Sequence, residues 1–144
     1  GGDVIAISAT HAESTGDTDT GMVYIYRQIN GVWGSSAEFT IEGENDYDYI
    51  GVIALSGNGN VLVVGTKYFD SVGDIDTGKL YIYRYSGGSW SQEHSITGNS
   101  AGDDIGLIVS INYNADHISY INDNNDTLEI IKYNGPSWIS IDSI

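Results

Sequence analysis

Cysteine is absent from the 144 residues, proline occurs once, and five basic residues stand against 20 acidic ones for a formal net charge of −15. Without cysteine there is neither a disulfide framework nor a thiolate metal site. A chain of this length buries about two thirds of its unfolded surface and needs neither to form a core. The missing cysteine therefore says nothing about compartment. Arg27, Lys67, Lys79, Arg84 and Lys132 are the whole cationic supply. They cannot neutralise a run of phosphates or hold an anionic leaflet, so nucleic acid and membrane surfaces are excluded as partners. Long apolar runs are lacking as well: Val52 to Leu55 and Val61 to Val64 are far too short to cross a bilayer, and no membrane insertion is expected. Position 1 is Gly rather than Met, as in a processed chain or a piece of something longer.

What the sequence does contain is self-similarity. Gly16-Asp17-Thr18-Asp19-Thr20-Gly21-Met22-Val23-Tyr24-Ile25-Tyr26-Arg27 returns 57 residues later as Gly73-Asp74-Ile75-Asp76-Thr77-Gly78-Lys79-Leu80-Tyr81-Ile82-Tyr83-Arg84. The same shift carries Trp33 to Trp90, and Asp3-Val4-Ile5-Ala6-Ile7 to Asn60-Val61-Leu62-Val63-Val64. A third copy is more worn. Leu128 to Tyr133 and Trp138 lie 48 residues after Leu80 to Tyr85 and Trp90, and His117 to Ile121 lies 56 after Val61 to Gly65, so the intervening loop is shorter by 8. The second and third copies also share an earlier element, in which Tyr49-Ile50-Gly51 answers to Asp104-Ile105-Gly106. Three repeats follow, over roughly 1–43, 44–99 and 100–144.

Each repeat alternates Val, Ile, Leu and Tyr runs with Gly, Asn, Asp and Ser punctuation, and no helical spacing of apolar residues persists. The fold class is all-β. Ser56-Gly57-Asn58-Gly59-Asn60 reads as a hairpin turn, because Gly and Asn accept the positive φ that such turns need. Tyr24-Ile25-Tyr26 and Tyr81-Ile82-Tyr83 are apolar on both faces, as strands packed between two layers must be. Four strands per repeat are expected: Ile50 to Leu55, Val61 to Gly65, Leu80 to Tyr85 and Trp90 to Ile96, then Ile105 to Ile111, His117 to Ile121, Leu128 to Tyr133 and Trp138 to Ile144. The first repeat supplies three, Val4 to Ser8, Met22 to Arg27 and one near Val32 to Ile41, giving eleven strands in all.

The order of these elements resembles the FG-GAP repeat of the integrin-α-type β-propeller and its relatives. Ile50-Gly51 stands where that family has Phe-Gly, Val63-Val64-Gly65-Thr66 where it has an apolar run into Gly-Ala-Pro, and Thr77-Gly78-Lys79-Leu80-Tyr81-Ile82-Tyr83 where it has Gly-x-Val-Tyr-Val-Tyr. The resemblance implies antiparallel four-stranded blades, here about three of them, with the first lacking one strand. It also implies an extracellular or cell-surface setting and calcium in acidic inter-strand loops.

Asp17 and Asp19, and Asp74 and Asp76, are the candidate calcium ligands, with Asp46 and Asp48 more loosely, since clustered oxygens on a Gly-containing loop suit a hard cation. The alternative is that these are turn residues bonding their own backbone. His11, His94 and His117 have no metal-ligand spacing. Trp33, Trp90 and Trp138 recur once per repeat, as a repeated packing position would. Asn125-Asp126-Thr127 is the one glycosylation sequon, with Asn125 as acceptor.

Neither a Gly-x-Ser-x-Gly elbow nor a His-Glu-x-x-His motif is present, and the chain is expected to be non-catalytic. Three blades cannot close a propeller ring. Three resolutions compete: a piece of a longer propeller, a ring completed between copies, or a filament. The expectation is an extracellular structural or adhesion module acting as a homo-oligomer or filament. The alternatives are a calcium-dependent module binding a glycan or protein ligand, and a fragment of a propeller hydrolase or lyase.

Overall fold

The computed structural model describes residues 2–13, 16 and 18–144. The first sheet contains β1 (Val4–Ala9), β2 (Met22–Ile29), β3 (Val32–Trp33) and β4 (Phe39–Glu42). The second runs β5 (Val52–Leu55), β6 (Val61–Thr66), β7 (Lys79–Ser86) and β8 (Ser89–Thr97). The third repeats that order with β9 (Val109–Ile111), β10 (His117–Asn122), β11 (Thr127–Tyr133) and β12 (Trp138–Ser143). Every pairing between named strands is antiparallel, and no sheet closes on itself. No helix is long and apolar enough to cross a membrane among the described residues.

Two-sided burial of the central strands sets this arrangement. In β6 and β7, Leu62, Val64, Tyr81 and Tyr83 pack towards Val23, Ile25 and Ile41 of the first sheet. Their alternates Val61, Val63, Leu80 and Ile82 pack towards Ile118, Tyr120 and Ile131 of the third. Successive strand residues point to opposite faces, so the unbroken apolar runs require a layer on each side. The first and third sheets therefore lie on opposite faces of the second.

The strand count differs from the eleven expected. The outer strand of the first sheet breaks into β3 and β4, which pair with successive parts of β2 and bring the total to twelve. Gly34 to Glu38 leave the ladder between them. Among the described residues, no strand occupies in the first sheet the place that β5 and β9 take beside their neighbours. Two other strands begin late. Ile50 and Ile105 are buried but lie outside β5 and β9, their backbone N–H groups donating instead to Thr20 and Thr77 in the loops before β2 and β7.

That backbone junction is where the Asp-x-Asp-Thr-Gly loops act. Ile50 N–H donates to the Thr20 carbonyl and Tyr49 N–H to that of Asp19, and 57 residues along the loop Thr77 accepts from Ile105 and Asp76 from Asp104. The second Asp of each loop sits at φ 51°, left-handed backbone that Asp tolerates. Gly78 has φ 72°, and a Cβ there would fall inside contact distance of the Ile105 backbone. Gly78→Ala is therefore expected to lower unfolding free energy by about 2–4 kcal/mol, conformational strain and overlap combined. Gly88→Ala, also at positive φ but with open space around it, should lose only about 1–2 kcal/mol. Urea unfolding of the two variants measures the difference.

Candidate functional site

The repeat permits a test of each surface, since every face of one sheet can be compared with its counterpart. The face of the second sheet that meets the first is built on Leu62, Val64, Tyr81 and Tyr83. The residues 57 positions earlier are Ile5, Ile7, Tyr24 and Tyr26, cross-strand partners in β1 and β2. Leu62 and Val64 are 0 % exposed, whereas Ile5 and Ile7 are 42 % and 50 % exposed and the two tyrosines only half-buried. The first sheet thus presents the apolar surface of a packed face with no sheet upon it among the described residues.

At the outer rim the sheets are joined by a second repeated device. Arg27 Nε donates to Glu38 at 3.2 Å, Glu38 Oε1 accepts the Trp90 indole N–H at 2.7 Å, and the Arg27 guanidinium lies 3.8 Å from the centre of the Tyr85 ring. One repeat on, Arg84 donates to Glu93 at 2.7 Å, Glu93 accepts from Trp138 at 3.1 Å, and Arg84 covers Tyr133 at 4.4 Å. An Arg–Glu pair on each sheet thereby grips a Tyr–Trp pair on the next. Trp90 and Trp138 are buried, as a repeated packing position requires, but Trp33 is 40 % exposed and does not share that role. No Arg–Glu pair faces it among the described residues.

At one end of the sheets lies an open cleft of about 650 Å³. The chain reaches it at Thr10 and His11 after β1, at Tyr49 before β5, and at Lys67 and Tyr68 after β6. The rings form a chain, with His11 5.2 Å from Tyr49 and Tyr49 5.6 Å from Tyr68, both edge to face, and Tyr47 6.2 Å from Tyr49. Lys67 Nζ lies 4.5 Å from the Tyr68 ring centre and 3.6 Å from Asp104 Oδ2. Burial opposes the charge of Lys67, but Asp104 and Tyr68 outweigh it and hold the ammonium above its ordinary pKa. The Tyr49 hydroxyl donates to Asp19 Oδ2 at 3.4 Å. Partial burial, and then the Asp19 charge, raise the Tyr49 pKa, so the phenol stays protonated and a donor.

Tyr47 and Tyr49 take φ of 64° and 49°. Left-handed backbone costs a residue with a Cβ about 1–2 kcal/mol. At the corresponding places before the third sheet stand Gly102 and Asp104, at 77° and 48°, both better suited to it. The backbone bonds served are the same, Tyr47 N–H to Thr18 O against Gly102 N–H to Ile75 O. The junction demands the conformation but not the rings. Repeat pattern and motif spacing do not point to this cluster; its visible signal in the sequence is the mismatch of Tyr49 with Asp104 between matched repeats.

The expected calcium ligands do not assemble in the same way. Asp17 lies outside the described residues. Asp46 Oδ1 accepts the Thr18 N–H at 2.8 Å, and Asp70 Oδ1 accepts that of Asp76 at 2.8 Å. Asp74 is exposed, and among the described residues no three His, Asp or Glu side chains converge on a common point. Asp48 is buried and accepts the Glu44 and Asn45 N–H groups, each at 2.9 Å, as Asp103 accepts those of Asn99 and Ser100. Both are turn caps. Asn125 is exposed in the turn between β10 and β11. His117 meets Asp116 at 2.8 Å, while His94 lies on β8 opposite Ile82.

No described protein family matches this sequence, and no curated protein does. Among solved structures, the chain is similar to a putative 6-phosphogluconolactonase from Bacteroides fragilis, with a TM-score of 0.58 at 14% identity. The match covers 87% of this chain and 33% of that one, so the chain spans about a third of the matched structure's length. The likeness is one of fold, an all-β, propeller-like stacking of antiparallel sheets. It corrects the expectation of a non-catalytic chain: the matched structure is described as an enzyme, so the architecture supplies no ground for excluding catalysis.

Two outcomes follow from the caps and the rim. Glu93→Ala strands the Trp138 indole and Arg84 together and is expected to lower stability by about 1–3 kcal/mol; Glu93→Gln, which keeps an acceptor, should lose less. Burial raises the Asp48 carboxyl above 3.8, with the Asn45 and Glu44 N–H groups opposing it only in part. The folded chain then holds this proton to higher pH than the unfolded chain. The contribution is full below 3.8 and lost as pH rises through the raised value. Asp48→Asn, which keeps the acceptor and cannot ionise, should flatten that part of the stability profile in urea titrations across the acid range.

Proposed function

We propose that the chain is a self-associating structural or adhesion module of the FG-GAP-like propeller type. In it, the exposed face of the first sheet docks on the far face of the third sheet of a second copy. One observation carries this reading. Ile5, Ile7, Tyr24 and Tyr26 are the repeat counterparts of residues that pack against a neighbouring sheet elsewhere in the same chain, yet Ile5 and Ile7 stand exposed and the two tyrosines are only half-buried. The surface offered in return is apolar too, with Ile121, Leu128 and Ile130 half-buried and Ile139 exposed.

The two faces differ, so the contact is heterologous and adds copies head to tail. It closes when the rotation permits, two copies making six sheets, and otherwise grows as a filament. The setting is outside the cell, where the charge of −15 keeps the assembly soluble. The driving force is apolar area rather than the rim device, because Lys132 and Ile141 occupy the places of Arg84 and Glu93, and Gln28 that of Tyr85.

Sedimentation velocity at micromolar concentration is expected to give species at multiples of 15.5 kDa. A compact monomer overturns the proposal. Ile7→Asp should abolish association while leaving the melting temperature of the monomer unchanged, since the side chain is half exposed already. The double substitution Lys132→Arg with Ile141→Glu rebuilds a socket for Trp33, and should tighten association by about fivefold, or roughly 1 kcal/mol.

A further inference from the structure

The end cleft between the first and second sheets carries an inference independent of association. We infer that it is a binding site for a neutral saccharide, with Tyr47, Tyr49 and Tyr68 as the ring platform and Lys67, Asp104 and Asp19 as the polar groups around it.

Backbone strain comes first. Tyr47 and Tyr49 stand in left-handed conformation where the chain uses Gly102 and Asp104 to make the same junction, so folding alone favours other residues at both positions. Strained residues that the local structure does not require gather where a side chain is needed for something else. Tyr49 lines the cleft with Tyr47 6.2 Å from its ring, and it meets there His11, which follows β1, and Tyr68, which follows β6, both distant in sequence.

Exposure comes second. Tyr47 and Tyr68 are 54 % and 45 % exposed, so ring surface is open to a ligand rather than spent in the core. A cleft of about 650 Å³ lies within the usual range of small-ligand sites, about 300–1,000 Å³.

The chemistry selects the class. A pyranose offers an apolar C–H surface to an aromatic face, and hydroxyls that need donors and acceptors at its edge. Tyrosines supply the first, each with a polar handle. Lys67 as donor, Asp104 and Asp19 as acceptors, and the protonated Tyr49 hydroxyl supply the second. A quaternary ammonium would also suit aromatic faces. Here the Lys67 ammonium already lies over the Tyr68 ring and is paired with Asp104, so a second cation would meet like charge. An anionic sugar would meet the two carboxylates. A neutral saccharide is compatible with every group present.

The test uses the unmodified chain and four probes, maltotriose, cellotriose, the N-acetylglucosamine trimer and choline chloride, followed by amide and tyrosine ring shifts in NMR titrations. At least one trisaccharide is expected to bind saturably, with shifts concentrated at Thr10, His11, Tyr47, Tyr49, Lys67 and Tyr68. Tyr68→Ala should weaken binding by about threefold to tenfold, the worth of one aromatic contact. The decisive variant is Tyr47→Gly with Tyr49→Asp, which installs the residue types of the third repeat. It should lose binding with a melting temperature unchanged or raised. Absence of binding by all three trisaccharides overturns the assignment, as does saturation by choline alone. So does a double variant that binds as before, or one whose melting temperature falls, since the rings would then serve the fold. Sedimentation is not involved, so failure here leaves the association proposal standing, and the converse holds.

Discussion

Two strands that are apolar on both faces govern the rest of the structure. A sheet containing β6 and β7 cannot be one wall of a two-layer sandwich, because Val61, Val63, Leu80 and Ile82 need cover on one side while Leu62, Val64, Tyr81 and Tyr83 need it on the other. The chain meets this by repeating itself. The flanking sheets arise from the same pattern, and the surface that one repeat offers is the surface the next is built to receive. Stacking sheets in a line settles the interior and leaves two terminal faces to be accounted for.

The junctions between sheets combine three kinds of interaction at different places. Backbone bonds from the Asp-x-Asp-Thr-Gly loops tie each sheet to the start of the next, apolar side chains fill the middle, and an Arg–Glu pair closes on a Tyr–Trp pair at the rim. The acidic loops look like cation sites in sequence because Asp and Gly satisfy two demands alike. They coordinate hard ions, and they tolerate the positive φ and local bonds of a tight junction. In this chain the backbone use is plain: the carbonyls of Asp19, Thr20, Asp76 and Thr77 all accept bonds from the following sheet.

Repetition makes departures informative. Trp33 keeps the identity of Trp90 and Trp138 but not their burial, because burial is a property of the neighbouring sheet and its Arg–Glu pair. Tyr47 and Tyr49 keep the backbone of Gly102 and Asp104 but not their identity. The first departure marks a face with no sheet upon it among the described residues, and the second a residue type that the junction itself does not require. Local pattern alone could not separate these cases, since a Tyr beside a Gly/Asp turn reads as one more strand residue.

Residue pattern alone determined the all-β class, the three repeats, their periods, the hairpin at Ser56 to Asn60 and the strand at Tyr81 to Tyr83 packed on both faces, whereas Tyr24 to Tyr26, of the same pattern, is covered on the Ile25 face only. All of these depend on which side chains alternate and which residues tolerate a turn, and both are local. It misplaced the outer strand of the first sheet, which breaks into β3 and β4, because a ladder's continuity depends on its partner strand. Only the tertiary structure decided that Ile5 and Ile7 lie open while Leu62 and Val64 are sealed, and that His11, Tyr49 and Tyr68 share one cleft. Burial and convergence are relations between segments far apart in the chain. Identical runs of residues acquire different roles according to what is packed against them.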